Sequence, residues 1–174
     1  MALTLSEIKE LVDQLAERIG APQNTLPTYG HSEEGNGVYV EVDSRGYQLV
    51  SAERGTEFER YSTADIDDLL YRIFRVVTFG LSCKYELAHR VEEQDCRRIM
   101  FQHQVELLSM LSPQWGERET RDLDQILMKY PFDDFVNIRL SLCRKLKEQG
   151  YSEEAIDKLA YEQYPLPQTG AENK

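Results

Sequence analysis

The stretch Val38–Asp43, VYVEVD, determines the fold class, because its apolar and polar residues alternate strictly. Alternation with a period of two is typical of a strand that buries one face. The residues Asp43-Ser44-Arg45-Gly46 then favour a tight turn. Residues 47–54 and 56–61 can return as a second and a third strand. The sequence therefore predicts a small antiparallel β-meander over about residues 37–61.

Helical periodicity is found on both sides of this meander. Thr4 and Glu7 fit a capping box, apolar residues then recur at helical spacing, and Gly20 suits the end of the helix. Residues 21–37 are rich in Pro and Gly and predict a loop. Ser62 or Thr63 is the expected cap of a central, buried helix that runs through Leu81. Further helices are expected over residues 95–111, from 113 to before Pro131, over 133–149 and from 152 to 164.

The valine face of the meander needs apolar cover, because an isolated hairpin is only marginally stable in water. We therefore predict an α+β fold in which the meander packs on a mainly helical bundle. Residues 1–164 are expected to form a single domain and residues 165–174 a disordered tail. The helix over residues 95–111 is expected to bury a stripe of Cys96, Ile99, Met100, His103, Leu107 and Met110.

Negative charge is concentrated in one part of the chain. The 174 residues have a net charge of −11 and a mean hydropathy of −0.55, values that indicate a soluble globular protein. Residues 31–68 hold ten acidic residues against three Arg, a net charge of −7. Nonspecific binding to nucleic acid or to anionic membranes needs a positive surface. The composition therefore disfavours both of these partners.

Three cysteines, Cys83, Cys96 and Cys143, are an odd number without a CxxC pair. We therefore expect neither a disulfide framework nor a zinc knuckle, but reduced, mostly buried thiols in a cytoplasmic protein. The first residues, MALTLSEIKELVDQL, have no basic start and no apolar h-region, so no signal peptide is expected. No apolar run reaches the roughly 18 residues of a membrane span.

The sequence contains one weak candidate for a metal or catalytic site. Glu86 and His89 form an E-x-x-H pair, which places a carboxylate and an imidazole on one helix face. Di-iron bundles need two such pairs and two further glutamates, and this chain has one pair. His103 is expected to be a hydrogen-bonded core residue. Because glycine-rich phosphate loops and the nucleophile elbow are also absent from the sequence, we predict no catalytic residues, cofactor or metal.

A candidate partner-binding surface lies on the meander. Alternation places Tyr39, Glu41 and Asp43 on the face opposite the valines, with Tyr47 and Glu57 nearby. Aromatic side chains provide rigid anchors and acidic side chains provide charge complementarity, so an exposed face of this kind suits a basic protein. An ordinary solvated face is the alternative.

A second polar group comprises Gln94, Asp95, Arg97 and Arg98. Asp95 can cap the helix that follows and can pair with Arg98 three residues later. We predict that this group is a structural polar cluster. A partner-binding arginine patch is the alternative.

Two motifs connect the chain to a known family. They are the run Gln94-Asp95-Cys96-Arg97-Arg98 and the ending Leu111-Ser112-Pro113-Gln114-Trp115. Together with shorter segments between residues 26 and 135, they resemble the immunity protein 63 family of bacterial polymorphic toxin systems. The shorter segments include Leu26–Gly30, Val40–Tyr47, Glu53–Gly55, Leu69–Tyr71, Val77–Phe79 and Tyr85–Glu93.

The resemblance implies an α+β protein, encoded beside a secreted or contact-delivered toxin, that binds this toxin in the cytoplasm and blocks it. It implies no catalytic residues and assigns no interface residues. Two other classes remain open. One is a small metal- or His-dependent enzyme that uses Glu86, His89 or His103, and the other is an acidic regulatory adaptor for another basic protein. The identity of the toxin and the oligomeric state do not follow from the sequence.

Overall fold

The computed structural model describes residues 3–32 and 34–168, which form one four-stranded sheet and six α-helices. This confirms the predicted α+β class. The elements are α1 (Leu5–Ile19), a short 3-10 helix (Gln23–Thr25), β1 (Thr28–Tyr29), β2 (Gly37–Asp43), β3 (Gly46–Glu53), β4 (Thr56–Thr63), α2 (Ile66–Ala88), α3 (Arg97–Leu111), α4 (Pro113–Lys129), α5 (Val136–Glu148) and α6 (Glu153–Gln163).

The described residues divide into two compact units. The first contains the described residues up to Leu81 together with Gln104–Glu119, and the second contains Ser82–His103 and the described residues from Thr120 onward. The single domain over residues 1–164 stays a prediction. Of the expected tail, residues 165–168 contain no helix or strand, and residues 169–174 lie outside the described residues.

The predicted meander is confirmed as the antiparallel strands β2, β3 and β4. The sheet has one more strand than expected, because β1 pairs in parallel with β2. The strand order is β1-β2-β3-β4, so β4 lies at an edge. The sequence did not reveal β1, since a strand of two residues is too short to show alternation.

Helices α1 and α2 cover the valine face of the sheet. Val40, Tyr47 and Leu49 belong to one apolar cluster with residues of both helices, and this burial is the main favourable contribution to folding. From α2, however, Val76 and Phe79 are about half exposed, so the helix predicted to be central and buried has one exposed side. The helical members of the cluster are Ile8, Val12, Ala16, Leu69, Leu70, Tyr71, Ile73, Phe74, Val77, Leu108, Leu111 and Trp115.

The helix ends follow capping chemistry closely. The capping box of Thr4 and Glu7 is present at the start of α1, and Gly20 ends this helix in the left-handed conformation, with φ +64°. Helix α2 begins later than predicted. The backbone N–H of Asp67 donates to Asp65 Oδ1 at 3.0 Å, so Asp65 occupies the capping role expected for Ser62 or Thr63.

The buried stripe of α3 differs from the prediction by about one residue. Gln104, Leu107, Leu108 and Leu111 are buried, whereas Met110 is 56% exposed. Gln104 is tolerated inside because its amide Nε2 donates to the carbonyl oxygen of Arg75 at 3.1 Å. A polar residue that satisfies its hydrogen bonds in the core cannot be recognised from an apolar pattern.

A buried carboxylate in the first unit was also not predicted. Glu119 is 1% exposed and accepts hydrogen bonds from the Tyr71 hydroxyl at 2.7 Å and from Arg75 Nε at 2.8 Å. Paired in this way, a charge can be buried without a prohibitive desolvation cost.

The second unit has a much smaller apolar interior than the first. Among its described residues only Leu123, Ile156 and Ala160 are buried hydrophobic side chains.

The expectation of mostly buried thiols is wrong, because Cys96 is exposed and Cys83 and Cys143 are partly exposed. All three cysteines are free thiols in the structure.

Two glycines inside helices of the first unit should change the stability of the protein in opposite directions when they are replaced by alanine. A Cβ on Gly116 would lie 3.2 Å from Ser109 Cα and overlap the Ser109 hydroxyl, whereas a Cβ on Gly80 meets nothing within 4 Å. We expect Gly116→Ala to destabilise by about 1–3 kcal/mol through overpacking. Gly80→Ala should stabilise by about 0.5–1 kcal/mol through helix propensity. Urea unfolding of both variants measures the difference, and equal midpoints would contradict the close approach at Gly116.

Candidate partner-binding surface

The outer face of the sheet is the face opposite the α1–α2 core. Tyr39, Glu41 and Asp43 of β2 lie on it, as alternation predicted, since Val38, Val40 and Val42 point into the core cluster. Strand pairing adds residues of β3 and β4 to the same face, because Tyr39 pairs with Val50 and Val50 with Arg60.

Tyr39 is buried on this outer face. Its side chain is 7% exposed and packs with Val50 and Ala52 in a second, small apolar cluster. The Tyr39 hydroxyl donates to Glu57 Oε1 at 2.8 Å. Desolvation is the main cause that raises the pKa of Tyr39, and the hydrogen bond to the Glu57 carboxylate is the second cause. The expectation of an exposed tyrosine is therefore wrong here, and Tyr39 acts as a support beneath Glu57.

Tyr47 is a core residue. It pairs with Val42 across the β2–β3 ladder and therefore lies on the valine face, where it is 4% exposed. Its hydroxyl accepts a hydrogen bond from the backbone N–H of Leu3 at 2.9 Å. The expectation that Tyr47 is exposed near the outer face is corrected by this placement.

The acidic side chains of the outer face are held by arginines. Arg60 bonds Glu41 Oε2 through Nη1 at 2.7 Å and Glu57 Oε1 through Nη2 at 2.5 Å, and Arg45 Nη2 bonds Asp43 Oδ2 at 2.7 Å. The Arg60 guanidinium, together with the Tyr39 hydroxyl, lowers the pKa of Glu57. Three carboxylates thus face two guanidinium groups, so this face is an ordered ion-pair network with little local excess charge.

Next to this network, strand β4 carries an irregularity. The ladder pairs Ser51 with Glu59 and Ala52 with Glu57, so Phe58 has no opposite residue and forms a β-bulge. The Phe58 side chain is 68% exposed. Phe58 is not among the contact residues predicted from the sequence. Its position between two glutamates was the available signal, but the bulge that exposes it has no pattern in the sequence.

The two side chains of the E-x-x-H pair contact different partners. Glu86 is 4% exposed and is bonded by Arg90 Nε and Nη2, both at 2.9 Å, which lowers the pKa of Glu86. His89 instead stacks on the Tyr85 ring, with centroids 4.0 Å apart, and His103 stacks on the same ring at 3.9 Å. No group of three His, Cys, Asp or Glu side chains able to hold a metal occurs in the described part of the chain.

His103 has the hydrogen bond expected of it. Its Nδ1 lies 3.0 Å from the Ser82 hydroxyl. The ring is half-buried, so it is a residue at the edge of the second unit and not of its core.

The polar cluster of residues 94–98 connects the start of α3 to the loop at residues 133–134 through ion pairs and hydrogen bonds. Asp95 is 4% exposed, caps α3 through the N–H of Arg97, and is bridged by the Arg97 guanidinium at 2.6 Å. The N–H of Asp133 also donates to Asp95 at 2.8 Å. Arg98 pairs with Asp134 at 2.8 Å, so the expected Asp95–Arg98 pair is replaced by two separate pairs. Gln94 is half-buried, and its backbone N–H donates to the carbonyl oxygen of Val91 at 3.2 Å.

We expect Asp95→Ala to destabilise by about 3–5 kcal/mol, because it removes the carboxylate that neutralises the Arg97 guanidinium and leaves that group bonded only to the carbonyl oxygens of Tyr130 and Pro131 among the described residues. Burial raises the pKa of Asp95, but the Arg97 and backbone hydrogen bonds outweigh burial, and the net pKa is lowered. This stabilisation is therefore present above the unfolded pKa and is lost as the pH falls through the folded pKa. Unfolding by urea from about pH 7 to about pH 2 should show the wild type and variant converging in acid.

The exposed Asp124 of α4 provides the control for this experiment. Asp124→Ala should change stability by less than about 0.5 kcal/mol. If Asp95→Ala is as stable as this control but fails to bind a partner that the wild type binds, the cluster is an interface and not a structural element.

The comparisons with known proteins give one match. The family model described as Immunity protein 63 matches residues 43–125, a little under half of the chain. This confirms the resemblance predicted from the sequence over that segment, which runs from the end of β2 into α4. No curated protein and no solved structure matches the chain. Within the described residues, no helix is both long and apolar enough to cross a membrane.

Proposed function

We propose that this chain is a cytoplasmic immunity protein that binds and neutralises a cognate toxin domain of a bacterial polymorphic toxin system. The match of residues 43–125 to the Immunity protein 63 family is the observation that carries the proposal. The matched segment includes β3, β4 and α2, which are two of the four strands and one of the two helices that cover the sheet. The proposed role is binding without catalysis.

The outer face of the sheet supports a protein contact. Glu41, Asp43 and Glu57 keep 35%, 36% and 44% of their side-chain surface exposed while arginines fix their orientation. Carboxylates held in this way lose little conformational entropy when a partner binds, which favours affinity. We assign a structural role to Tyr39 and Tyr47, because both side chains are buried and cannot contact the partner.

The net charge of the segment favours a basic toxin domain. Residues 31–68 carry a net charge of −7, although the ion pairs of the outer face cancel part of it locally. Long-range attraction depends on the net charge and raises association rates by about 10–10³-fold for complementary partners. Rapid capture suits an inhibitor that must reach a toxin before the toxin acts.

The direct test uses the toxin domain encoded by the gene next to that of this protein. Co-expression with the wild-type protein should restore growth of cells that produce the toxin. The two purified proteins should also form a complex that survives size-exclusion chromatography. If the protein neither binds the toxin domain nor restores growth, the proposed function is wrong.

The charge contribution is tested by the double variant Glu41→Lys with Asp43→Lys. We expect association with the toxin domain to slow by about tenfold at low salt and by less at about 1 M salt, where charges are screened within about 3 Å. Stopped-flow mixing measures the rate. A double variant with the same change in net charge, Asp157→Lys with Glu162→Lys on exposed positions of α6, is the control and should have a smaller effect.

Equal slowing by the two double variants would mean that only the net charge matters. The function would then stand, and the assignment of the outer face as the contact would be wrong.

A further inference from the structure

The open edge of β4 presents an exposed aromatic side chain. β4 is the last strand in the sheet order, and no strand among the described residues pairs with its other edge. The five residues Thr56–Arg60 are all exposed, and Phe58 among them is 68% exposed. An exposed phenylalanine at an open edge favours aggregation, and native proteins usually avoid this arrangement.

The exposure of Phe58 follows from the backbone register and not from a loose surface. Glu57 and Glu59 occupy consecutive positions of the ladder to β3, and the extra residue between them is displaced. Phe58 belongs to neither apolar cluster of the first unit. It therefore contributes no packing to either cluster, and its apolar surface remains available to a partner.

The turn that leads into the Phe58 segment is fixed by its own geometry and by a neighbouring loop. Arg54 and Gly55 have φ +52° and +77°, the signs that a type I′ hairpin turn requires at its two central residues. This turn is bonded to a neighbouring loop, because the N–H of Gly55 donates to the carbonyl of Gly35 at 2.9 Å and the N–H of Arg54 to Asn36 Oδ1 at 2.8 Å. Because this backbone is already fixed, a partner that contacts Phe58 does not have to order it.

Acidic residues precede and follow Phe58 along β4. Glu57, fixed by Arg60 and Tyr39, precedes it, and the exposed Glu59 follows it. Strongly contributing residues of protein interfaces are commonly aromatic side chains that fill a pocket and are enclosed by a polar rim. The complementary surface is an apolar pocket with Lys or Arg at its rim.

We propose that Phe58 is the apolar anchor through which this protein binds its toxin, inserting into a pocket of the toxin domain that basic residues surround. This proposal rests on the proposed function and adds to it the residue that determines the lifetime of the complex. Glu57 and Glu59 contact the basic rim, and the net negative charge of residues 31–68 contributes long-range attraction.

The test measures binding of the purified toxin domain to the full-length protein by surface plasmon resonance. Phe58→Ala should weaken the affinity by about thirtyfold or more, mainly through faster dissociation. Phe79→Ala is the matched control, because Phe79 is an exposed phenylalanine of the same unit, 47% exposed on α2. This control should change the affinity by less than about threefold.

Three further measurements separate the outcomes. Thermal unfolding of Phe58→Ala should match that of the wild type, since Phe58 lies outside both apolar clusters. Glu59→Lys should slow association more than it speeds dissociation. Sedimentation velocity of the protein alone should show the same oligomeric state for the wild type and Phe58→Ala.

Each failure has its own meaning. If the wild type does not bind the toxin domain, the proposed function is overturned and the anchor with it. If the wild type binds and Phe58→Ala binds equally well, only the anchor is overturned. If Phe58→Ala instead converts a dimer to a monomer without weakening toxin binding, the side chain joins two copies of this chain and the proposal is wrong.

Discussion

The burial of one sheet face beneath α1 and α2 is the constraint on which the first unit depends. Val40 and Leu49 are buried because the helices provide the opposing apolar surface. Without this surface, a sheet of this size would be only marginally stable in water. Once this face is fixed, alternation assigns every second residue of β2 to the outer face. The candidate contact surface is thus a geometric consequence of the core.

The sequence predicted this part of the molecule well because both of its signals are periodic. Alternation in β2 and the capping box of α1 are local patterns, and the structure confirms both. Side-chain exposure, in contrast, does not follow from these local patterns. Tyr39 follows the predicted face, but its neighbours on β3 cover it, and those neighbours depend on strand register.

Polar residues were the hardest to place from the sequence. Gln104 and Glu119 are buried because partners distant in sequence satisfy them. Asp95 was correctly identified as a cap, yet its guanidinium partner is Arg97, and the loop that completes the cluster lies more than 35 residues away, at Asp133. Phe58 depends on a bulge, for which no residue pattern exists.

The unequal interiors of the two units have a consequence for the lifetime of the protein. The described residues include nineteen buried hydrophobic side chains in the first unit and three in the second. Segments that bury little apolar surface open at a lower free energy than the global transition, and their amide hydrogens exchange first. In a cell, such openings are where proteases begin to cut. Helices α5 and α6 are therefore the segment through which turnover of this protein would begin, and turnover sets how much of it is present when a toxin arrives.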